Sequence, residues 1–403
     1  MTKRLRVQRG ITLMEIMISM GVALVGIMGI MSLMPLAAVN LSKGVQADAV
    51  STFGRGALHD FTAREMIHGD WIAVDNANQL FRLPEADARR TRASFCIDPL
   101  YMASHTAFAF ASLPTVATTA DTMPYYDLSG DLSAEPPYSQ PRMFRCAPPR
   151  VSTGTDKFPI STALAQHVFT SHDDLSFVRP NDRALPPVQT YNRINDTNPA
   201  DAWENAPRLR QSKGRFSWMA TVVPEIDNNA TISDEFRRLS IVIFHDRVID
   251  PAINQFAPSD GDQELLFDVI LLGSGIAGGD VRLMTRPSRS GSADDLSELR
   301  VGNWIMLGGA VVPAVNGVFR QQFRWYRVVD MAATTSVMTD YNGTRVWTRD
   351  VTLVGPDWIR PEWLNYKMDE SPEDNLMNYG TMRTQATWLR GVVSVLEKTV
   401  VVR

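Results

Sequence analysis

The stretch 11–39, ITLMEIMISMGVALVGIMGIMSLMPLAAV, decides how the chain is read, because Glu15 is its only charged residue. At about 1.5 Å of rise per residue, a helix over 16–39 is long enough to cross a hydrocarbon layer about 30 Å thick. Lys3, Arg4, Arg6 and Arg9 precede it with no acidic residue among them. That asymmetry predicts a single-pass inner-membrane segment with its N-terminus cytoplasmic and the residues after Val39 sent outward. A carboxylate inside such a run costs about 2.5–3.5 kcal/mol unless a cation meets it. Cutting the chain after Gly10 would create one, the new α-amino group of Ile11, about one helical turn before Glu15.

The junction Arg9-Gly10 followed by Ile11-Thr12-Leu13-Met14-Glu15 resembles the prepilin signal of the type IV pilin superfamily: a basic leader ending in Gly, an apolar residue, Thr-Leu, and Glu fifth after the Gly. The continuation 25–31, VGIMGIM, is similar to that of minor pilins and pseudopilins of the V and I types. The resemblance covers roughly residues 1–60. It implies that a prepilin peptidase cuts between Gly10 and Ile11 and methylates the new N-terminus. It also implies that Glu15 pairs with a neighbouring subunit's terminal amine during assembly. Pro35 lies somewhat later than the family's usual helix-loosening proline, and its missing N–H predicts a kink. The partners implied are other pilin or pseudopilin subunits, as homo- or heteropolymer, the prepilin peptidase, an inner-membrane assembly platform and the membrane. Two plainer readings compete, an ordinary secretory signal peptide and a simple anchor. The first has only Leu36-Ala37-Ala38 as a poor cleavage site, and the second leaves Gly10 and Glu15 unexplained.

Beyond the apolar run, Leu41, Val45, Ala49, Phe53, Ala57 and Phe61 recur every four residues and trace one helical stripe, which His68-Gly69-Asp70 ends. The organisation expected is a leader peptide over 1–10, a transmembrane and polymerisation helix over 11–39, its amphipathic continuation over 40–70, and a β-rich periplasmic or extracellular domain over 71–403. Pro- and Ser-rich composition predicts long loops near 112–150 and 173–213. From Phe216 onward, β-branched and aromatic residues predict strands at 216–224, 239–249, 265–272, 300–307, 319–331, 345–354 and 391–402. Asn342-Gly343 suits a type I′ hairpin turn between two of them. The expected fold class is therefore α+β: a long N-terminal hydrophobic helix, half transmembrane and half amphipathic, packed on a large antiparallel β-rich globular domain.

The charge balance excludes one class of partner. Without the four leader cations, 36 Lys and Arg stand against 44 Asp and Glu, a formal charge of −8, which argues against a nucleic-acid-binding body. Cys96 and Cys146 are too few and too far apart for a zinc site of CxxC type; a single disulfide and two buried thiols both stay open. Gly273-Ser274-Gly275-Ile276-Ala277-Gly278 has the form G-x-G-x-x-G after an apolar run, but no helix signal follows to hold a pyrophosphate, so it reads as a glycine-rich loop between strands. Asp260, Asp262 and Glu264 are a calcium candidate by clustering alone, less favoured than a solvated acidic turn. The six histidines include no HExxH and no i,i+4 pair. With no catalytic constellation and no cofactor motif, the expectation is a non-enzymatic structural subunit of a type IV pilus or a type II secretion-like pseudopilus. The large body suggests a minor, tip or priming subunit. The alternative is an anchored or pilus-tip adhesin that uses the helix as a mount.

Overall fold

Methionine, isoleucine and leucine are the commonest residues of the N-terminal run, and from Leu13 on, with no two β-branched residues adjacent, the chain folds as the helix α1 (Leu13–Ala63), with Pro35 inside it, in this computed structural model. The structure describes residues 13–74, 80–83, 94–104, 122–124, 141–149, 160, 165, 168–171, 175–177, 210–212, 216–226, 232–247, 264–273, 275–285, 293–315, 318–339, 345–358 and 384–401. By its contacts the chain divides into two units, residues 1–52 and 53–403.

The second unit is built on strands. One open sheet contains β1 (Trp71–Val74), β2 (Leu80–Leu83), β3 (Phe95–Ile97), β4 (Thr122–Met123), β5 (Met143–Ala147), β8 (Phe216–Ile226), β9 (Ile232–His245) and β17 (Val392–Val401). Its order is β17-β9-β8-β3-β5-β1-β2, with β4 paired to β5. All pairs are antiparallel except β3 with β5, where Cys96 lies level with Arg145 and Ile97 with Cys146. A two-stranded sheet joins β6 (Leu175–Phe177) to β7 (Arg210–Ser212). Two short helices, α2 (Pro99–Ser104) and α3 (Ala293–Glu298), accompany the strands.

The remaining strands close on themselves. β10 (Glu264–Leu271), β11 (Gly278–Thr285), β12 (Trp304–Val315), β13 (Val318–Met331), β15 (Arg345–Val354) and β16 (Gln385–Leu389) run in the order β11-β10-β16-β12-β13-β15, and β15 pairs back to β11 from Gly278↔Val354 to Met284↔Thr348. The result is a six-stranded antiparallel barrel, with β14 (Ser336–Thr339) added on β15. Period-two alternation sorts its side chains. Phe267, Val269, Val281, Leu283, Ile305, Leu307, Val351 and Leu353 form one core with Trp358 and with Leu296 and Leu299 at α3. Met306, Phe323 and Trp325 belong to a second core shared with Met219, Val223, Val242, Phe244 and Val395 of the open sheet. The barrel thus packs one outer face on one face of the sheet, and the Trp325 indole N–H donates to Thr221 Oγ1 across that boundary at 3.2 Å. Within this unit the end of α1 is seated on the sheet. Ala57 and Phe61 are buried, and a side chain at Gly54 would meet the Cδ1 atoms of Ile243 and Leu396 at 2.5 Å.

The expected fold class requires correction. In place of a helix with a transmembrane half on an antiparallel domain, the chain is a β-rich protein organised around a closed six-stranded barrel. Among the described residues no helix is long and apolar enough to cross a membrane. Ile11 and the side chains of Ile30, Leu33, Leu36 and Val39, which the sequence reading counted, lie outside the described residues. The apolar residues that remain are interleaved with Ser19, Gly21, Gly26, Gly29, Ser32 and Pro35. The single-pass inner-membrane placement, with a periplasmic body, loses the span on which it rested and is withdrawn.

Strand boundaries show further differences. β9 begins before residue 239, and β12 begins only at Trp304, because Arg300–Asn303 form a turn in which Asn303 Oδ1 accepts the Arg300 N–H at 2.7 Å. β5 falls inside the stretch expected to be loop, since MFRCA is a strand hidden between prolines at 141 and 148–149. Residues 342 and 343 lie outside the described residues; the strands they were expected to join, β13 and β15, are paired, and β14, which the sequence reading did not include, pairs with β15 as well.

Candidate functional site

Gly10 and Ile11 lie outside the described residues; Glu15 is in the first turn of α1. Around and beyond it the helix exposes Leu13, Met14, Met17, Val22 and Val25, each about two-thirds exposed or more, together with Ile16, Ile18, Met20, Leu24, Ile27, Met28, Met31 and Met34. At about 100° per residue these positions cover most of the helix circumference, the pattern of a helix meant to be enclosed rather than laid on a surface. The polar groups in the run are turned inward. Ser19 Oγ donates to the Ile16 carbonyl at 2.9 Å and Ser32 Oγ to that of Gly29 at 2.7 Å, so neither hydroxyl seeks an outside partner. Glu15, exposed among these residues, is the one charge they present.

The body carries a different kind of polar centre. Asp98 precedes Pro99 and caps α2, accepting the Tyr101 N–H at 3.4 Å. Its carboxylate also receives Arg145 Nη1 at 3.1 Å and the two Nη atoms of Arg247 at 2.8 and 2.6 Å. Arg145 then reaches Glu264 at the start of β10 and lies 3.7 Å from the centre of the Tyr101 ring. Asp98 and Arg145 are fully buried. Burial pushes the Asp98 carboxyl upward, but Arg247 and then Arg145 outweigh it and hold the group below the usual carboxylate range. Burial alone would lower Arg145, and Glu264 beside it raises it instead. Two carboxylates against two guanidiniums make a neutral quartet that ties β3 and β5 of the open sheet to β10 of the barrel. Each carboxylate meets a guanidinium, and the geometry is that of a clamp.

Glu264 therefore spends its carboxylate on Arg145, while Asp260 and Asp262, the other calcium candidates, lie outside the described residues. Among the described residues no group of His, Cys, Asp and Glu is gathered as for a metal. A second charged cluster joins Arg238 to Glu225 by two hydrogen bonds of 3.1 and 2.7 Å, with Arg324 and Glu397 beside it.

The two cysteines are buried and neither is in a disulfide. The pleat explains why. Residues level with each other on neighbouring strands share a face, so Cys96 points with Arg145 toward the barrel and Cys146 with Ile97 toward the opposite side. Cys146 Sγ donates to the Cys96 carbonyl at 3.3 Å, and Cys96 Sγ lies 3.8 Å from Met219 Sδ. Burial, then the nearby Asp98, pushes the Cys96 thiol well above its ordinary value. Two thiols per chain are expected to react with an aromatic disulfide reagent after unfolding and none in the native protein; an unfolded, unreduced chain with none would show a bridge.

The glycine-rich segment is a hairpin loop between β10 and β11, not a phosphate cradle. The carboxylate of Asp357 accepts the Ala277 N–H at 2.7 Å, Trp358 N–H donates to the Gly275 carbonyl at 2.8 Å, and Gly355 N–H to that of Ala277 at 3.1 Å. His245, paired with Asp246 at 3.3 Å, packs beside the Phe216 ring. Sequence reasoning missed the quartet, although Asp98-Pro99 is a visible helix start. Arg145 and Arg247, far apart in sequence, give no such signal. No family model, curated protein or solved structure matches this chain.

Proposed function

We propose that the chain is a structural subunit, minor, tip or priming, of a type IV pilus or type II secretion-like pseudopilus. Cleavage between Gly10 and Ile11 by a prepilin peptidase releases it for assembly, and α1 then packs among the helices of neighbouring subunits. The observation that carries this reading is the apolar surface of α1 between Leu13 and Met34, exposed nearly all round and interrupted by one carboxylate. Exposed apolar area on that scale marks a surface that is covered in use. An enclosing bundle of like helices covers every side at once, and the terminal amine of a neighbour answers Glu15.

The test is the N-terminal mass of the protein with and without prepilin peptidase. The expected mature chain starts at a methylated Ile11, and a chain that still starts at Met1 in the enzyme's presence overturns the proposal. Glu15→Val is expected to leave processing intact while lowering incorporation into filaments about tenfold or more, equivalent to ~1.4 kcal/mol. Unchanged incorporation removes the charge pairing from the mechanism.

A further inference from the structure

The methionines of this protein fall into two populations. Met14, Met17, Met20, Met28, Met31 and Met34, all on α1, are 63–71% exposed, whereas Met66, Met102, Met123, Met143, Met219, Met284 and Met306 are at most 8% exposed. Met331 and Met338 lie between. Among the described residues, then, every exposed methionine is on α1. At about 100° per residue, Met17, Met20, Met28, Met31 and Met34 also fall within a sector about 120° wide, forming a thioether stripe along one side of the helix. The opposite side carries Glu15, Ile18, Val22, Gly26 and Gly29.

A thioether has a chemistry that Leu or Ile in the same places would lack. Unbranched and polarisable, it packs adaptably against neighbours. Its sulfur also takes an oxygen atom from a hydroperoxide, and exposure governs how fast. The O–O bond breaks, an S–O bond forms, the sulfur loses two electrons, and the other peroxide oxygen leaves as water or alcohol. The product, methionine sulfoxide, is polar and chiral, and methionine sulfoxide reductases reverse it.

We propose that this stripe is an oxidation site that controls assembly. Hydroperoxide converts the stripe of an unassembled chain to sulfoxides, which place polar S–O groups along the face that must be buried between helices, so the oxidised chain does not pack. Packed chains are protected because their sulfurs are covered. The inference rests on the proposed function, since it regulates the same helix surface.

The test uses the chain after cleavage by prepilin peptidase, at high dilution, treated with limiting hydrogen peroxide and mapped by peptide mass. The six helix methionines are expected to gain oxygen at least about tenfold faster than Met123, Met143, Met219 and Met306. Sedimentation of concentrated samples should show untreated chains associating, oxidised chains remaining apart, and association restored after treatment with reductases for both sulfoxide epimers. Equal oxidation rates in the two populations, or oxidised chains that associate as untreated ones do, overturn the proposal. Failure of reductase treatment to restore association overturns it too, because the block then lies elsewhere. If the untreated chains do not associate, the assembly reading itself fails and the regulation falls with it, an outcome separate from the others.

Discussion

Replacing Arg145 with Met is expected to destabilise the body by about 3–5 kcal/mol, because it removes one partner of a buried pair and leaves Glu264 without its counter-charge. The Asp98 side chain is fully buried and that of Glu264 is 10% exposed, so water cannot substitute for the lost guanidinium at Asp98. Arg247 still neutralises Asp98, but Glu264 loses the partner that draws β10 toward β5. Urea unfolding should show a lower midpoint with an unchanged slope. Combining Arg145→Met with Glu264→Met removes both members of that ion pair and should recover more than half of the loss. A single variant costing less than about 1 kcal/mol would show that the quartet is not a clamp. The same centre sets an acid limit. A carboxylate whose folded pKa is depressed contributes stability above its unfolded value, about 3.9, and that contribution is lost as pH falls through the lower folded value. Unfolding midpoints measured from pH 6 down to pH 2 should therefore fall below about pH 4, with a shallower fall in an Asp98→Asn variant.

Gly278→Ala should be nearly as costly, about 3 kcal/mol, at a site with no charge at all. Gly278 has φ +101°, and a Cβ there would stand 2.5 Å from the Leu353 carbonyl oxygen and 2.8 Å from its carbon. Those are backbone atoms of β15, held at the Gly278↔Val354 pairing that closes the barrel, so they cannot turn aside as a side chain would. Gly273 in the same hairpin loop is the natural comparison. A Cβ there meets only the Asp280 nitrogen, at 3.5 Å, and Gly273→Ala should change stability by less than about 0.5 kcal/mol. Equal effects at the two positions, read by denaturant midpoint, would mean that the barrel seam is not tightly closed.

The strands of the second half were legible because period-two alternation and β-branched content act locally. 345–354 was read with both ends correct, and 319–331 and 391–402 to within a residue at either end. Closure of the barrel was not legible. It depends on β15 finding β11 and on β16 entering between β10 and β12, and neither pairing leaves a mark in the residues between. The short strands before Phe216 escaped for the opposite reason, being two to five residues long, with β5 set between prolines. On the site side, Glu15 was conspicuous as a lone charge in an apolar run. The quartet of Asp98, Arg145, Arg247 and Glu264 was not, since an arginine in a strand looks the same in sequence whether it faces water or a buried carboxylate. The cysteines show the same limit, for only the parallel register of β3 and β5 reveals that they face apart.

The position of β16 has a bearing on synthesis. Strands β10 and β12 leave the ribosome early, yet each keeps an unpaired hydrogen-bonding edge until residues 385–389 arrive between them, and β9 waits likewise for β17. During that interval the nascent chain carries open apolar strand edges of the kind that invite pairing with other chains. Truncation just before residue 385 would hold the protein in that state permanently, which makes the last strands a quality check on the whole: a ribosome that stalls short of them releases a barrel that cannot shut.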